Sequence, residues 1–260
     1  MKTSLLLVSR NEEENARRFV DSFNRQTLKP SEIVLVDSST DKTKRILSSI
    51  ATKIITTEPR GCSYARAEGM KYVSGDIIVW TDIDVEMKND WFENIIHMFD
   101  NNHVNVVQGS VKVNGFNTKE KGMFVKPPKN GKYINGCNVA FRKIVLDRYP
   151  VDPNMLWEDI ELDYRISKHY PVYGCPKAVV WHYGLSGKRK YDLKHNAIWS
   201  GIAWARILKK YKNLYWFFRI SYNIFNIAKV YGLKAFSYYS FYFIVSLIKE
   251  PKLSKGRKII

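Results

Sequence analysis

The chain has 260 residues, 45% hydrophobic and 26% charged, an ordinary globular composition with enough length for a real core. Its formal charge of +17 is uneven: residues 1–182 hold 26 basic and 23 acidic side chains, whereas residues 183–260 hold 16 basic side chains against only Asp192 and Glu250. Three cysteines without paired spacing (Cys62, Cys137, Cys175) indicate neither a disulfide framework nor a zinc site and read as small buried hydrophobes in a reducing compartment, and the longest uncharged run, 14 residues from Ala235 to Ile248, falls short of the roughly 20 that a membrane-spanning helix needs.

The first hundred residues alternate strand and helix. Leu5-Leu6-Leu7-Val8 marks a strand over Ser4–Ser9; it is too short for a signal-peptide core and is followed at once by Arg10 and three glutamates, so the chain is expected to stay in the cytoplasm. A helix over Glu13–Arg25, a strand over Glu32–Asp37, a helix over Thr43–Ala51 and a short strand over Lys53–Thr56 follow. Next come a helix over Cys62–Val73, a strand over Asp76–Thr81 and a helix over Asp90–Asp100. Ile77 to Trp80 are four consecutive apolar residues, the pattern of a strand buried on both faces. This alternation predicts an α/β, Rossmann-like fold with a mostly parallel central sheet flanked by helices.

After Asn101-Asn102 the texture changes. Strands are expected at Val104–Val113, Tyr133–Arg142 and Val172–His182, with a helix from Trp157 to His169; Gly115–Lys132, with Pro127-Pro128, reads as an exposed loop. The expected division is a domain over 1–182, in halves 1–102 and 103–182, and a helical basic and aromatic extension over 183–260. That extension carries 18 of the 36 aromatic residues. Trp204, Ile207, Leu208 and Tyr211 share one helical face, as do Leu214, Phe217, Phe218 and Phe225.

Four places combine the right chemistry with the right position. Asp82 and Asp84 follow the apolar strand at its carboxyl end, where open α/β sheets bind ligands. Two close carboxylates repel unless a cation offsets them, which points to a divalent metal shared with a phosphate-bearing ligand, though Asp is also a common turn residue after strands. Asp37 ends Val34-Leu35-Val36 and can accept from a base imide or a ribose hydroxyl, or can cap its own turn. Asp159 stands in the acidic helix start Trp157-Glu158-Asp159 on the face of Leu162 and Ile166, which makes it a candidate general base. His182 ends the apolar strand Val179-Val180-Trp181, and its imidazole would complete a site suited to Mn²⁺ or Mg²⁺.

Taken in order, these segments resemble the family 2 glycosyltransferases with the glycosyltransferase A fold, across roughly residues 3 to 185. The carriers are Asn11-Glu12-Glu13-Glu14-Asn15, Ile33 to Thr43, Gly61 through Ala65-Arg66 to Gly69, Asp82-Ile83-Asp84, Asn138 to Arg142 and Trp157-Glu158-Asp159. The resemblance implies a nucleotide-sugar half over 1–102 and an acceptor half over 103–182. It implies nucleotide-sugar contacts at Ser9, Glu12, Asp37, Arg66, Asp82 and Asn138, metal ligands at Asp84 and His182, and Asp159 as the base of an inverting transfer. Two departures stand out: Val8-Ser9-Arg10 replaces the family's Pro-Thr-Tyr, and Ser38 stands where a second acid is frequent.

The expected partners are a UDP- or GDP-sugar donor and a glycan or lipid-linked acceptor, with the basic, aromatic extension lying peripherally on the inner face of a membrane. Basic and aromatic residues also suit nucleic acid, but Asp37, Asp82, Asp84 and Asp159 would repel its phosphates, so no nucleic acid is expected. A nucleotidyltransferase making a nucleotide sugar is the nearer alternative; it should carry a Gly- and basic-rich loop where Glu12-Glu13-Glu14 stand.

Overall fold

The computed structural model describes residues 1–113, 124–125, 134–183, 193–212, 215–216, 220 and 236–248. Up to Met87 the order is β1 (Thr3–Ser9), α1 (Glu13–Asn24), β2 (Glu32–Asp37), α2 (Thr43–Leu47), β3 (Lys53–Thr56), α3 (Cys62–Met70), β4 (Ile77–Thr81) and β5 (Val85–Met87). It continues with α4 (Trp91–His97), β6 (Val106–Val113), β7 (Phe124–Val125), β8 (Asn138–Arg142), α5 (Lys143–Arg148), α6 (Glu158–Ile166), β9 (Val172–His182) and α7 (Leu193–Tyr211).

The strands form one sheet in the order β3-β2-β1-β4-β8-β6-β9-β5, with β7 paired on β6. The first four strands are parallel. Beyond β4 the sheet is mixed: β8 runs antiparallel to β4 and β6, β6 parallel to β9, and β5 antiparallel to β9. The mostly parallel sheet expected from the alternation is therefore uninterruptedly parallel only from β3 to β4, and beyond it β6–β9 is the one parallel pair among the described residues.

Apolar runs account for the parallel half. Leu5, Leu7, Ile33, Leu35, Ile77 and Val79 feed the core on one face; Leu6, Val34, Val36, Ile78 and Trp80 feed that on the other. Period-two alternation inside a continuous hydrophobic run thus covers both faces of each strand. Helix α3 lies so close to the sheet that a Cβ on Gly69 would come within 2.3 Å of Leu6 Cδ1. The chain leaves β1 toward β2 on one side and β4 on the other, which sets Ser9, Asp37 and Asp82 at the carboxyl ends, where open α/β sheets bind ligands.

The expected strand over Tyr133–Arg142 begins only at Asn138; residues 136 and 137 form a turn before it. Strand β7 falls inside the segment read as a loop, the rest of which lies outside the described residues.

The chain forms two compact units, one of Met1–Pro153 with Glu158–Ser186, the other of Asn154–Trp157 with Gly187–Ile260. In the second, Ile198, Ile202, Ala203, Trp204, Ala205 and Ile207 of α7 are buried. Trp204 meets Trp157 edge-on at 5.3 Å. Residues 236–248 are helical, and Gly201 permits their close approach to α7, since a Cβ there would lie 2.6 Å from the Tyr239 carbonyl oxygen. Of the expected apolar faces, Trp204 and Ile207 are buried, whereas Leu214, Phe217, Phe218 and Phe225 lie outside the described residues.

Candidate active site

Strand register assembles the acids. Thr81 pairs with Asn138 across the antiparallel β4–β8 ladder, so the next residues outward, Asp82 and Cys137, flank the end of that ladder. Thr81 Oγ1 donates to the Cys137 carbonyl at 2.9 Å, and Cys137 N–H donates to Asn135 Oδ1 at 3.1 Å. Val85 pairs with His182 across β5–β9, and Tyr183 N–H donates to the Asp84 carbonyl at 2.7 Å. His182 Nε2 therefore stands 3.3 Å from Asp84 Oδ1.

One ligand atom each from Asp82, Cys137 and His182 lies within 4.8 Å of the others. Asp84 Oδ1 is withdrawn from water yet accepts no hydrogen bond. Burial pushes the Asp84 carboxyl up to about 6, against the opposing pull of His182. A carboxylate oxygen short of donors, beside a second carboxylate and an imidazole, fits a divalent cation that would supply the missing positive charge. Burial, and then the charges of Asp82 and Asp84, hold the Cys137 thiol well above its ordinary range.

Arg66 is buried and spends its guanidinium on protein groups. It pairs with Glu158, donates at 2.9 Å to Asp82 Oδ1 and at 2.9 Å to the Gly136 carbonyl, and lies 5.0 Å from the Trp80 ring centroid. A Cβ at Gly136 would come within 2.4 Å of Arg66 Nη1, so glycine is what admits the arginine. Read from sequence as a nucleotide contact, Arg66 instead ties the acid pair after β4 to the start of α6. Glu158, which sequence reasoning did not assign to the site, is its buried partner and also accepts from Ser63 Oγ at 2.8 Å. A buried carboxylate in a first helical turn ordinarily reads as a solvated dipole partner; only the tertiary fold brings Arg66 to it.

Asp159 begins α6 beside that pair. Its oxygens accept from Ile160 N–H at 2.8 Å and from Gly136 N–H at 3.3 Å. The side chain keeps part of its surface open but is closely surrounded, and burial, aided by the Glu158 charge, pushes it up to about 6 despite Arg66. Gly136 links Asp159 to Asp82: its N–H donates to Asp159, and its carbonyl accepts from Arg66, which also donates to Asp82.

The turn after β2 has another character. Asp37 has no exposed surface: its oxygens accept from Ser9 Oγ at 2.5 Å, Ser39 Oγ at 2.6 Å and Ser39 N–H at 3.0 Å. Asn11, at a left-handed φ of 53°, clips this turn to the one after β1 by accepting from Thr40 N–H at 2.8 Å. Glu12 accepts from Asn15 Nδ2 at 2.9 Å and adds its charge to those around Asp84.

Asn138 requires a correction. Expected to touch the nucleotide sugar, it is fully buried: Oδ1 accepts from Trp91 Nε1 at 2.8 Å, and Nδ2 donates to the carbonyls of Ser110 at 2.9 Å and Ala178 at 3.0 Å. It pins β8 to α4, β6 and the bulged stretch of β9, and Gly109 makes room for it. Buried amides bond within the protein, and this one, with both N–H groups and its oxygen engaged and no exposed surface, is out of a ligand's reach.

A parallel β3-β2-β1-β4 half, a mixed remainder and an acid pair at the end of β4 define a glycosyltransferase A fold. The fold superimposes on the mannosyltransferase PcManGT from Pyrobaculum calidifontis, solved with GDP-Man and Mn²⁺, with a TM-score of 0.63 at 18% identity over 96% of this chain and 86% of that one. It also matches S. aureus TarS 1–349 in complex with UDP-GlcNAc, with a TM-score of 0.61 at 18% identity over 80% and 67% of the two chains. Residues 4–147 match the family described as glycosyl transferase family 2, and the chain belongs to that family. It is a glycosyltransferase.

Among curated relatives, the chain is 27% identical over 208 residues to the UDP-Glc:alpha-D-GlcNAc-diphosphoundecaprenol beta-1,3-glucosyltransferase WfgD of Escherichia coli, spanning 74% of this chain and 82% of that protein. It is 26% identical over 146 residues to the glucosyl-dolichyl phosphate glucuronosyltransferase of Haloferax volcanii, 53% of this chain and 46% of that one.

Proposed function

We propose that this glycosyltransferase moves a sugar, with inversion, from a UDP- or GDP-linked donor to a hydroxyl of a lipid-linked glycan at the inner face of a membrane. The observation that carries the reading is the meeting of Asp82, Asp84 and His182 at the ends of β4 and β9, with Asp159 linked to Asp82 through Gly136 and Arg66.

Asp84 and His182, with Asp82, would hold Mn²⁺ or Mg²⁺. When bound, such a cation supplies positive charge against the diphosphate leaving group. Asp82, oriented by Arg66, accepts from the donor ribose. Asp37 shapes the turn against which the base rests, with Ser9 and Ser39 fixing its carboxylate. Asp159 takes the proton of the acceptor hydroxyl as the new acceptor oxygen–anomeric carbon bond forms and the bond to the diphosphate breaks. A carboxyl raised to about 6 is ionised at neutral pH and is a stronger base than an ordinary one. Arg66 and Glu158 keep α6, and so Asp159, in register with the acid pair after β4.

A lipid-linked acceptor is supported by the names of the two curated relatives, which specify a diphosphoundecaprenol and a dolichyl phosphate. Surface chemistry supports the membrane. On the helical stretch 236–248, Phe241, Ile244 and Ile248 are 61%, 54% and 82% exposed and share one face. Five basic residues lie among the last twelve, Lys249 to Ile260. Among the described residues no helix is long and apolar enough to cross a membrane. An in-plane helix with apolar insertion and basic flanks is the arrangement that anionic bilayers favour.

One experiment addresses the whole reading. UDP- and GDP-sugars are offered to the full chain with Mn²⁺ on anionic liposomes carrying a polyprenyl-diphosphate sugar, with flotation run on the same sample. Expected are metal-dependent transfer to the lipid, loss of transfer and of metal-dependent nucleotide binding in Asp84→Ala, and flotation with the liposomes. Transfer that persists in EDTA, or an Asp84→Ala variant that transfers normally, rejects the metal role; a chain that stays in the soluble fraction rejects the membrane surface.

A further inference from the structure

Cys137 is the residue of this site that neither the sequence reading nor the transfer chemistry uses. Its position is nonetheless fixed from both sides. The carbonyl is held by Thr81 Oγ1 and the N–H by Asn135 Oδ1, so the side chain leaves a pinned backbone, buried, toward Asp82 and His182. Thiol, carboxylate and imidazole donors gather within 4.8 Å, and the buried Asp84 Oδ1, 3.3 Å from His182 Nε2, still accepts no hydrogen bond. Cys137 belongs to the core on one face of the sheet, and its sulfur stands where that core meets the carboxylate and imidazole donors.

We propose that Cys137 is a further protein ligand of this site, beside Asp82, Asp84 and His182, and opens it to thiophilic divalent cations, Zn²⁺ and Co²⁺, that a site of carboxylate and imidazole alone would favour less. The inference rests on the reading of Asp82, Asp84 and His182 as a metal site. Softness decides the direction: thiolate selects borderline and soft ions, whereas carboxylate and water suit Mg²⁺ and Mn²⁺. A sulfur beside an imidazole nitrogen and carboxylate oxygens is a donor set that suits such ions. Small side-chain movements suffice, because bonds of about 2.0–2.3 Å to a shared ion need ligand atoms only slightly nearer than they now stand. The thiol proton leaves to solvent on ligation, so affinity for these ions should rise with pH.

The test uses metal alone, without nucleotide. The full chain is titrated with Co²⁺ in a phosphine-reduced buffer that contains no competing thiol, and the absorption spectrum is followed. Expected is an intense sulfur-to-cobalt charge-transfer band that is lost in Cys137→Ser and retained in Cys175→Ser and Cys62→Ser. Zn²⁺ should bind Cys137→Ser at least about 10-fold more weakly than wild type, the scale on which even outer contacts of a metal site are felt. Mn²⁺ binding, followed by electron paramagnetic resonance, should change much less. Cys137→Ala, which buries no hydroxyl, repeats the comparison, and metal-free melting of both variants verifies that they fold. If Co²⁺ binds with the same spectrum in wild type and both Cys137 variants, the sulfur is not a ligand and the proposal fails while the metal site stands. If wild type binds neither Co²⁺ nor Mn²⁺, the proposal and the metal reading beneath it fail together.

Discussion

The turns after β2 and β4 leave the same sheet with only β1 between them, each after an equally apolar run and each carrying aspartates. Asp37 is closed. It is out of solvent, and Ser9 and Ser39 satisfy both of its oxygens. Asp84 is only partly buried, and its shielded Oδ1 accepts no hydrogen bond, with His182 Nε2 3.3 Å away as its neighbour. Similar sequence texture therefore produces two kinds of acid. One is stabilised by local hydroxyls and becomes scaffold; the other keeps an unmet electrostatic demand that a proton or a cation can meet. What separates them is the hydroxyl neighbourhood: Ser9 sits at the end of the strand paired with β2, with Ser39 two residues on, and Asp84 has no such pair.

The largest effect that would sharpen this contrast is expected at Asp159, another acid left short of strong donors. Asp159→Asn should lower turnover by roughly 10²–10⁴ while donor affinity stays close to wild type, because the amide keeps the shape and cannot take the proton. Wild-type turnover should climb as pH rises through about 6, where the carboxyl ionises, and the variant should lack that limb. Steady-state rates across pH 5–8 decide the matter; a variant with wild-type turnover removes Asp159 from the chemistry.

Asp37→Asn should act on the fold instead. Asn keeps one acceptor for the two serine hydroxyls but sets a buried amide NH₂ against the Ser39 N–H, which costs about 1–3 kcal/mol, measured by urea denaturation, with a smaller loss of metal-dependent nucleotide binding than Asp84→Ala suffers. Normal stability combined with abolished binding would break the contrast and return Asp37 to the ligand.

The smallest effect concerns stability against pH in cation-free protein. Asp84 titrates near 6 when folded and near 4 when unfolded, so the fold holds the proton more tightly. That contribution is complete below about 4 and is lost as pH rises through about 6. Melting temperature should therefore fall over that interval, and less steeply in Asp84→Asn. An identical slope in the two proteins would mean that the Asp84 oxygen is satisfied after all.

Much of the parallel half was legible because its signal is local. The expected bounds of β2, β3 and β9 agree with the observed strands, and those of β1 and β4 differ by one residue, since continuous apolar runs announce fully buried strands. Helices α2 and α3 stop earlier than expected, at Leu47 and Met70, where turns take over the chain. Strand β5, three residues long, is below the length at which period two can be recognised, and it exists because β9 offers it an edge. The antiparallel pairing of β4 with β8 joins residues some sixty positions apart, which no window of local periodicity contains. Site residues divide in the same way. That Asp82, Asp84 and His182 lie near strand ends was readable from the apolar runs, and the structure brings them together. Asn138 was misread because its partners, Trp91, Ser110 and Ala178, come from three separate segments. Cys137 looked inert because a single cysteine has no spacing to interpret.

The guanidinium that joins Asp82, Glu158 and the Gly136 carbonyl also bears on how this enzyme could be redesigned. Positions 66, 136 and 158 behave as a three-part lock. A larger residue at 136 evicts the arginine, loss of the arginine strands a buried glutamate, and loss of the glutamate strands a buried cation. Libraries that vary these positions one at a time would consist mainly of inactive clones, whatever specificity they were meant to explore. Diversity aimed at substrate recognition belongs elsewhere, with the three held constant, so that each variant keeps α6 in register with the acid pair after β4 and reports on recognition alone.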